Sequence, residues 1–471
     1  MQILDALRAA VGEKYVLVGE DTAVWSHDWT GKYSWSPLAV VRPATTQEVS
    51  AVMRSCHAAG IAVVPVGGHT GLTGGTHADN AVMVSLDRMN TIRAIKPDAR
   101  IAVVEAGVVQ QRLHEACEDH GMLFPMTFGA RGSAQIGGML STNAGGSNVV
   151  RYGNTRDLCL GIEAVLPDGR IVDLMSELRK DNTGYDLKNL MIGAEGTLGL
   201  ITAAVLKIVP APKVRVTAML AMDDLAPALG VLNALQEATG GAVDAFEYMP
   251  RTFIERHMVR IAGAREPFAA PHAVNILLEV GSTRPDDAER GDDGVPKLNT
   301  LVEAELASAL ERGEIADAVI AASDTQRVEM WARREIAAEI TFDGRPLIDT
   351  DIALPLDRVA EFIERMKARV FELDSGAETF LVAHLGDGNI HYTVYPTSID
   401  GALKEAVVTA LEDLVNEMGG SFSAEHGIGL SKLPSMTRQK DAVALDVMRA
   451  VKQALDPSGL MNPGKVLPGS D

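Results

Sequence analysis

Two glycine-rich tracts constrain this 471-residue chain more than any other feature. Five glycines fall within residues 65–75 (PVGGHTGLTGG), and seven fall within residues 129–153. Together the tracts hold 12 of the 44 glycines in the chain. Glycine adopts positive φ without strain and lets a ligand approach the bare backbone, so each tract predicts tight turns or a ligand-binding loop.

The residues between these glycines favour ligand binding. Successive backbone N–H groups in turns form concave sites for anions such as a pyrophosphate. Neither tract matches GxGxxG at a strand-to-helix junction, which argues against a Rossmann site. The tracts therefore predict a long phosphate-bearing cofactor, and two flexible loops are the alternative. Short hydrogen-bonding side chains interleave the glycines at Thr70, Thr73, Ser133, Ser141, Thr142 and Asn143.

The acidic composition excludes several classes of partner. With 43 Lys and Arg against 63 Asp and Glu, the formal net charge is −20. Nucleic-acid binding needs clustered basic residues, and an anionic membrane surface is disfavoured likewise. Cys56, Cys117 and Cys159 lie far apart and outside any CxxC motif, so we expect no disulfides and a cytoplasmic location.

Periodicity predicts alternating strands and helices between about residues 37 and 210. Residues 45–60 carry a capping box, Thr45 and Glu48, then apolar residues at helical spacing and a closing Gly60. Past residue 210 a second strand-and-helix rhythm predicts a smaller α+β domain. Residues 1–15 predict an amphipathic helix rather than a signal peptide, and no run approaches the roughly 18 apolar residues of a transmembrane segment.

Two histidines bracket a short turn and predict a metal site. His384 and His391 enclose LGDGNI, whose turn-forming residues can bring both imidazoles to one point. Glu425 in SAEHGIG adds a carboxylate, and this set suits Zn²⁺ or a similar divalent ion with one open position. The neighbouring His426 is a candidate base, because an ordinary histidine has a pKa of about 6.5. Unrelated surface histidines, and a capping role for His426, are the alternatives.

The order of six motifs resembles that of the FAD-dependent D-2-hydroxy acid dehydrogenases. The motifs are PVGGHTGLTGG, GSAQIGGMLSTNAGG, GAEGTLGLIT (193–202), HLGDGNIH, SAEHGIG and NPGK. The family includes D-lactate dehydrogenases, the glycolate oxidase flavoprotein subunit and D-2-hydroxyglutarate dehydrogenase. The resemblance extends from about Pro37 to Leu467.

This resemblance implies an α+β protein of the vanillyl-alcohol-oxidase or PCMH type. An FAD-binding domain of two α/β subdomains is expected over residues 1–210, with residues 435–471 returning to it. An antiparallel-sheet cap domain carrying the substrate and metal sites is expected over residues 211–434.

The same resemblance implies which residues contact FAD. A GGH triplet at His69 also resembles the loop of flavoproteins that bond FAD through histidine, but those relatives carry Arg where Pro65 stands. Non-covalent FAD is therefore expected, with a covalent bond to His69 as the alternative. The expected contacts are Pro65, Gly67, Gly68, His69, Thr70, Gly71, Leu72, Gly74, Gly75, Pro125, Thr127, Gly129, Gly132, Ser133, Ile136, Gly137, Gly138, Ser141, Thr142, Asn143, Gly145, Gly146, Gly196, Gly199, Ile201 and Asn462.

The resemblance also implies roles in a reaction. His384, His391 and Glu425 match residues that hold the metal. His426 would remove the hydroxyl proton while C2 of the substrate passes a hydride to flavin N5. Arg334 matches an arginine that binds the substrate carboxylate, for which its planar fork is suited. Arg333 could substitute for it, and surface ion pairs of Arg334 with Glu335 or Glu339 are the alternative.

Three departures from the D-2-hydroxyglutarate type concern the substrate. That type carries Thr, Lys and Asn, which hold a second carboxylate, where Ala338, Asp349 and Thr393 stand. Lys would attract the second carboxylate of the substrate, whereas Asp in its place would repel it. We therefore expect a D-lactate-like monocarboxylic acid; D-2-hydroxyglutarate, glycolate oxidation within a complex, and a non-catalytic flavoprotein are the alternatives. The electron acceptor (a quinone, a cytochrome, an electron-transfer flavoprotein or O₂) stays open, and a homodimer is the family-based expectation.

Overall fold

The first 210 residues form two sheets in the computed structural model, which describes residues 2–469. One sheet has the order β1-β2-β4-β3 with β2, β4 and β3 parallel, and the other has the antiparallel order β5-β6-β10-β8-β9. A short pair joins β7 to β11. The strands are β1 (Val16–Leu17), β2 (Ala39–Val41), β3 (Val63–Val66), β4 (Val82–Ser85), β5 (Ile92–Lys96), β6 (Ile101–Glu105), β7 (Met122–Leu123), β8 (Cys159–Val165), β9 (Ile171–Leu174), β10 (Leu200–Lys207) and β11 (Val209–Pro210).

The helices of this part follow the predicted alternation. The Thr45 hydroxyl accepts a hydrogen bond from the Glu48 amide at 3.1 Å, and Gly60 ends the helix with φ of 65°. The capping box and the glycine end are thus confirmed. The helices are α1 (Gln2–Val11), α2 (Thr46–Ala59), α3 (Gln110–Glu118), α4 (Ile136–Thr142), α5 (Val149–Tyr152) and α6 (Leu187–Met191), with 3₁₀ turns at Glu13–Tyr15 and Gly19–Trp25.

Part of the second glycine tract is helical, although glycine disfavours a helix interior. Gly137 lies in α4, where its amide donates to the Ala106 carbonyl at 2.7 Å. A Cβ at Gly137 would lie 2.8 Å from that of Ala106. Close packing of α4 against the end of β6 therefore requires the glycine.

The rest of the chain is built on one seven-stranded antiparallel sheet of order β15-β12-β14-β13-β17-β18-β16. Its strands are β12 (Val214–Met222), β13 (Val243–Pro250), β14 (Val274–Ser282), β15 (Asp317–Ile320), β16 (Ile348–Ala353), β17 (Glu378–His384) and β18 (Asn389–Tyr395). The helices are α7 (Ala228–Thr239), α8 (Arg251–Arg260), α9 (Pro285–Ala288), α10 (Lys297–Glu311), α11 (Asp324–Glu335), α12 (Ala337–Thr341), α13 (Val359–Leu373), α14 (Gly401–Glu417), α15 (Leu433–Gln439) and α16 (Ala442–Leu455), with a 3₁₀ turn at Leu356–Arg358.

The two faces of this sheet differ in chemistry. Helices α7, α10, α13 and α14 cover one face and form with it the largest apolar core of the chain, which includes Phe246, Phe362 and Tyr392. The opposite face carries a smaller apolar cluster around Phe253 and Phe380 and the buried polar residues of the site. The mixed helix-and-sheet class expected from the sequence is confirmed.

The chain returns to the first sheet near its end. The Val63 amide donates to the Leu460 carbonyl at 2.8 Å, and the Asn462 amide donates to the Val63 carbonyl at 2.8 Å. Residues 460–462 therefore run beside β3 at the start of the first glycine tract. Among the described residues, none of the helices combines the length and apolar composition that crossing a membrane requires.

A buried ion pair joins the two parts of the chain. Arg151 of α5 donates to Asp244 Oδ1 of β13 at 2.7 Å and to the Gly281 carbonyl at 2.6 Å. The Asp244 side chain is 5% exposed, and burial raises the pKa of this carboxyl. Removing the arginine would leave a buried acid without its cation.

We predict that Arg151→Ala lowers the free energy of unfolding by about 3 kcal/mol, because breaking a buried pair strands its partner. Urea denaturation at neutral pH measures the loss. Arg170→Ala is the control: its pair with Asp168 is largely exposed, so it should cost less than about 1 kcal/mol. Equal losses in the two variants would contradict this account of the interface.

Candidate active site

Strand alternation places the polar residues of the site on one face of the seven-stranded sheet. The register pairs Glu247 of β13 with His384 of β17, and Asp351 of β16 with His391 of β18. Directly opposed residues in antiparallel strands have Cβ atoms about 5 Å apart. The sheet itself therefore sets each histidine beside a buried carboxylate.

The turn between β17 and β18 brings His384 and His391 together, as the sequence predicts, and Glu425 joins them from its loop. One potential ligand atom from each lies within 4.8 Å of the others. His384 Nε2 is 3.8 Å from Glu425 Oε1, and His391 Nε2 is 3.9 Å from Glu425 Oε2. Two imidazoles and a carboxylate at this spacing fit a divalent ion with an open position for a substrate oxygen.

Glu247 is a site residue that the sequence patterns missed. Its side chain is 1% exposed, with Oε1 2.9 Å from His384 Nδ1 and Oε2 2.8 Å from Arg334 Nε. The contact with His384 leaves Nε2 free to face an ion, as carboxylate partners of metal-binding histidines do. Burial alone would lower the pKa of His384, but Glu247 and Glu425 raise it to about 9.

Arg334 lies in the site and not on the surface. Its side chain is 9% exposed and forms an ion pair with Glu247, although the Nε–H group is not aligned for a hydrogen bond. Its Nη2 is also buried and donates to no described residue. An unbonded buried guanidinium nitrogen fits a carboxylate ligand. The alternative of surface pairs is wrong, because Glu335 binds Arg131 instead, at 2.6 Å. Arg333 points away and donates to the Arg265 carbonyl.

Asp351 is the second residue that the sequence patterns missed. Its Oδ2 accepts hydrogen bonds from the backbone amides of Glu425 and His426, both at 2.9 Å, and its Oδ1 accepts one from Asn389 Nδ2 at 2.9 Å. Burial would raise its pKa, but the neighbouring His426, Lys432 and His391 hold it well below the usual range. Asp351 therefore fixes the loop that carries Glu425 and His426 to the sheet.

His426 lies between this sheet and the first glycine tract. Its ring stacks on that of His391, with centroids 5.5 Å apart and planes 22° apart, and its side chain is 22% exposed. The Thr73 hydroxyl donates to the His426 carbonyl at 3.3 Å. A Cβ at Gly145 would lie 2.7 Å from Glu425 Oε1, so the second tract also reaches the cluster.

The two glycine tracts pack against each other without intervening side chains. A Cβ at Gly68 would collide with the Ser133 carbonyl oxygen, and a Cβ at Gly196 would lie 2.5 Å from Pro65 Cγ. Within the described part of the chain, no acceptor is bonded to the backbone N–H groups of residues 68–75. Unpaired amides in a loop with His69 at φ 59° and Gly74 at φ 71° fit the pyrophosphate of FAD.

Asn462 closes the same region, as expected. Its Nδ2 donates to the Gly75 carbonyl at 3.1 Å and to the Glu195 carbonyl at 2.8 Å. The side chains of Ile136 and Ile201, two of the expected contacts, are buried in the apolar core. Of the remaining expected residues, Gly196 lies against Pro65 of the first tract, whereas Gly199 lies against Val165 and Met191, away from both tracts.

Two hydroxyl groups of the second tract, those of Ser141 and Thr142, are already engaged. Ser141 Oγ donates to the Gly137 carbonyl at 2.7 Å, and Thr142 Oγ1 donates to the Gly138 carbonyl at 3.1 Å. Both bonds follow from the helical conformation of α4, four residues apart. These two side chains therefore offer a ligand their oxygen lone pairs and not their hydrogens.

His69 lies in an aromatic pocket. Its ring stacks on Trp25, with centroids 6.1 Å apart and planes 10° apart, and its centroid is 5.8 Å from that of Trp35. Burial lowers the pKa of His69, and its Nε2 is buried without a described partner. Burial thus favours the neutral form of the imidazole, and the two tryptophans hold the ring by packing.

Asp349 and Thr393 oppose each other on the site face of β16 and β18. Thr393 Oγ1 donates to Asp349 Oδ1 at 2.9 Å, and burial raises the pKa of Asp349. Within the described residues no basic group forms an ion pair with Asp349. This end of the site therefore presents an acidic side chain without an ion pair, although His426 and Lys32 are near enough to oppose the effect of burial on its pKa.

We predict that metal binding is coupled to the proton on His384. Because the metal-free pKa is about 9, a bound proton competes below that pH, and raising the pH from 7 to 9 should tighten the apparent affinity for Zn²⁺ about tenfold per pH unit. Competition with a chromogenic chelator measures this. Glu247→Gln removes the charge that raises the pKa and should flatten the dependence; an affinity independent of pH in the unaltered protein would contradict the prediction.

Comparisons with known proteins match both parts of the chain. A family model described as FAD binding domain matches residues 37–175, and one described as FAD linked oxidases, C-terminal domain, matches residues 211–466. A probable mitochondrial D-2-hydroxyglutarate dehydrogenase from Oryza sativa subsp. indica is 35% identical over 98% of this chain and 81% of its own length. A D-2-hydroxyglutarate dehydrogenase from Stutzerimonas stutzeri is 33% identical over 98% of both chains.

A further relative is named as a dehydrogenase of D-lactate rather than of D-2-hydroxyglutarate. A putative mitochondrial D-lactate dehydrogenase from Schizosaccharomyces pombe is 33% identical over 94% of this chain and 84% of its own length. Among solved structures, 4-ethylphenol oxidase from Gulosibacter chungangensis superposes with a TM-score of 0.72 at 18% identity, covering 99% of this chain and 97% of that one. p-Cresol methylhydroxylase gives 0.73 at 16% identity, covering 98% and 96%. These two likenesses concern the fold.

Proposed function

The chain belongs to the FAD-linked oxidases, with D-2-hydroxyglutarate and D-lactate dehydrogenases among its relatives, and from this premise we propose that it oxidises a D-2-hydroxy acid to the 2-oxo acid. One observation carries the proposal. One face of the sheet, directly against both glycine tracts, gathers three features. These are the cluster of two histidines and one glutamate, the stacked His426, and the buried Arg334 with its unbonded Nη2.

Each residue of the cluster has a defined task in this reaction. Arg334 binds and orients the substrate carboxylate. His384, His391 and Glu425 would hold a divalent ion, proposed to be Zn²⁺, and its charge would lower the pKa of the substrate hydroxyl. His426 takes the hydroxyl proton, and Asp351 holds the backbone of His426 in place. Bound FAD supplies the redox chemistry by accepting the hydride from C2.

We propose the domain division expected from the sequence. Residues 1–210 with 435–471 bind FAD, and residues 211–434 carry the substrate and metal site. The hydrogen bonds between Val63 and residues 460–462 support the return of the C-terminal segment. Flavin contacts are proposed for the residues of the two tracts, Gly196 and Asn462.

The proposed reaction is tested by anaerobic mixing of the flavin-loaded protein with matched D- and L-2-hydroxy acids. We predict that the flavin absorbance bleaches with D-acids only, because Arg334 and the ion fix the carboxylate and hydroxyl and leave one C2 configuration facing the flavin. Arg334→Lys keeps the charge but loses the planar fork, and kcat/KM should fall about 100-fold. Bleaching by neither enantiomer, or equally by both, would contradict the proposal.

We propose a D-lactate-like monocarboxylate as the substrate class. Asp349 lies on the site face, hydrogen-bonded to Thr393 and without an ion pair among the described residues, and its ionised form would repel a second carboxylate placed near it. D-2-hydroxyglutarate is the second candidate, favoured by the names of the relatives from Oryza and Stutzerimonas. Oxidation of glycolate as a subunit of a complex is the third.

We predict that Asp349→Lys shifts the substrate preference. The kcat/KM ratio of D-2-hydroxyglutarate to D-lactate should rise by about 30-fold or more, since exchanging repulsion for attraction changes the relative binding free energy by about 2 kcal/mol. Asp349→Asn, which removes only the repulsion, should give a smaller rise. Faster turnover of D-2-hydroxyglutarate than of D-lactate by the unaltered protein would contradict the substrate class and leave the reaction itself standing.

We also propose that FAD is bound without a covalent bond, because the His69 ring is packed between Trp25 and Trp35. Precipitation with acid should then release all yellow colour to the supernatant. Colour that stays in the pellet, and is lost from it in His69→Ala, would contradict this.

Three further expectations stay predictions. A cytoplasmic location is supported by three free, buried cysteines, which a reducing compartment preserves. A homodimer is tested by light scattering. The acceptor, whether a quinone, a cytochrome, an electron-transfer flavoprotein or O₂, is identified by which of them reoxidises the reduced flavin.

A further inference from the structure

Glu195 connects the two glycine tracts to the loop of His426. Its backbone amide donates to the Ser141 carbonyl at 2.8 Å, and its carbonyl accepts the 2.8 Å hydrogen bond from Asn462. Its backbone adopts φ of 50°, a conformation that residues other than glycine rarely take unless the surrounding structure imposes it. The backbone of Glu195 is thus fixed among residues proposed to contact FAD.

The side chain of Glu195 crosses to the other part of the chain. Oε1 accepts a hydrogen bond from the Ile428 amide at 2.6 Å, and Oε2 accepts one from the Gly429 amide at 2.8 Å. A Cβ at Gly427 would lie 2.6 Å from Oε1, so glycine at this position permits the approach. Within the described residues no basic group forms an ion pair with this carboxylate; two backbone amides, one to each oxygen, satisfy it.

The loop is therefore fixed on both sides of His426. On the side of the sheet, Asp351 Oδ2 accepts the amides of Glu425 and His426 at 2.9 Å. On the side of the glycine tracts, Glu195 accepts the two consecutive amides that follow Gly427, those of Ile428 and Gly429. A carboxylate that accepts two amides restrains a loop in direction as well as distance, and charge-assisted bonds of this kind are the stronger ones.

We infer that Glu195 is a positioning residue, which sets the distance and direction of His426 relative to the flavin by holding residues 428 and 429. This inference rests on the proposed function. Substrate binding depends on Arg334 and the ion cluster, which Glu195 does not contact, whereas proton removal depends on where His426 stands. Small displacements of a catalytic group cost large factors in rate, so the loss should fall on kcat and spare KM.

A purely structural role predicts a different result. If Glu195 only joined two parts of the chain, its loss would lower stability and FAD content together, and the molecules that retain FAD would react at the normal rate. The conservative substitution separates these cases, since Gln keeps the size of the side chain but turns an NH₂ group toward one of the two amides.

The test compares Glu195→Gln, Glu195→Asp and the control Glu163→Gln in the flavin-loaded protein. Glu163 lies on β8 and accepts hydroxyl hydrogen bonds from Thr46 at 2.6 Å and from Thr202 at 2.8 Å, away from the loop. Stopped-flow flavin reduction by D-lactate is measured per bound FAD, together with hydrogen exchange of a peptide covering residues 424–431.

In Glu195→Gln we expect flavin reduction to slow by at least about tenfold, with the substrate concentration for half-maximal rate within about threefold of normal, and exchange of residues 424–431 to rise about tenfold. Glu195→Asp should recover part of both losses, and Glu163→Gln should change neither. Unchanged exchange, or faster exchange with a normal rate per bound FAD, would overturn the inference. If no D-2-hydroxy acid reduces the unaltered flavin, the proposed function fails, while the exchange result still decides whether Glu195 holds the loop.

Discussion

The register of the seven-stranded sheet is the constraint on which the candidate active site depends. Opposed positions of β13 and β17 hold Glu247 beside His384, and opposed positions of β16 and β18 hold Asp351 beside His391. A shift of one residue in either pair would turn these side chains into the apolar core on the other face. The large core beneath α7, α10, α13 and α14 therefore fixes the register, and the register fixes the site.

The glycine tracts provide the other half of the candidate active site. Backbone packs directly on backbone within the first part of the chain, where Gly68 meets Ser133. Between the two parts, the missing Cβ of Gly145 lets Glu425 approach the second tract. The substrate would lie between a rigid polar sheet face and a loop surface of unpaired amides. An anionic acid must enter a chain of net charge −20, so its attraction has to come locally, from Arg334 and the bound ion.

Much of this arrangement could be predicted from the sequence, because several of the signals involve residues that are close together in the chain. The capping box of α2 lies within four residues, and the turn that brings His384 and His391 together lies within eight. Glu247 and Asp351 were not predicted, because their partners lie 137 and about 40 residues away and only the strand register joins them. Helix α4 was missed for a related reason: its glycines disfavour a helix locally, and Gly137 is explained only by its contact with Ala106. Arg334 was identified by resemblance, whereas its buried pair with Glu247 required the fold.

If the cluster of His384, His391 and Glu425 holds an ion that activates the substrate hydroxyl, removing the ion should slow flavin reduction without removing FAD. Dialysis of the flavin-loaded protein against a chelator, followed by measurement of metal content, FAD content and anaerobic flavin reduction in the same sample, separates these effects. We expect FAD to stay bound, reduction by D-lactate to slow about 100-fold as the metal is lost, and added Zn²⁺ or Mn²⁺ to restore it. Reduction at the original rate in protein without metal would show that the cluster does not activate the substrate through an ion.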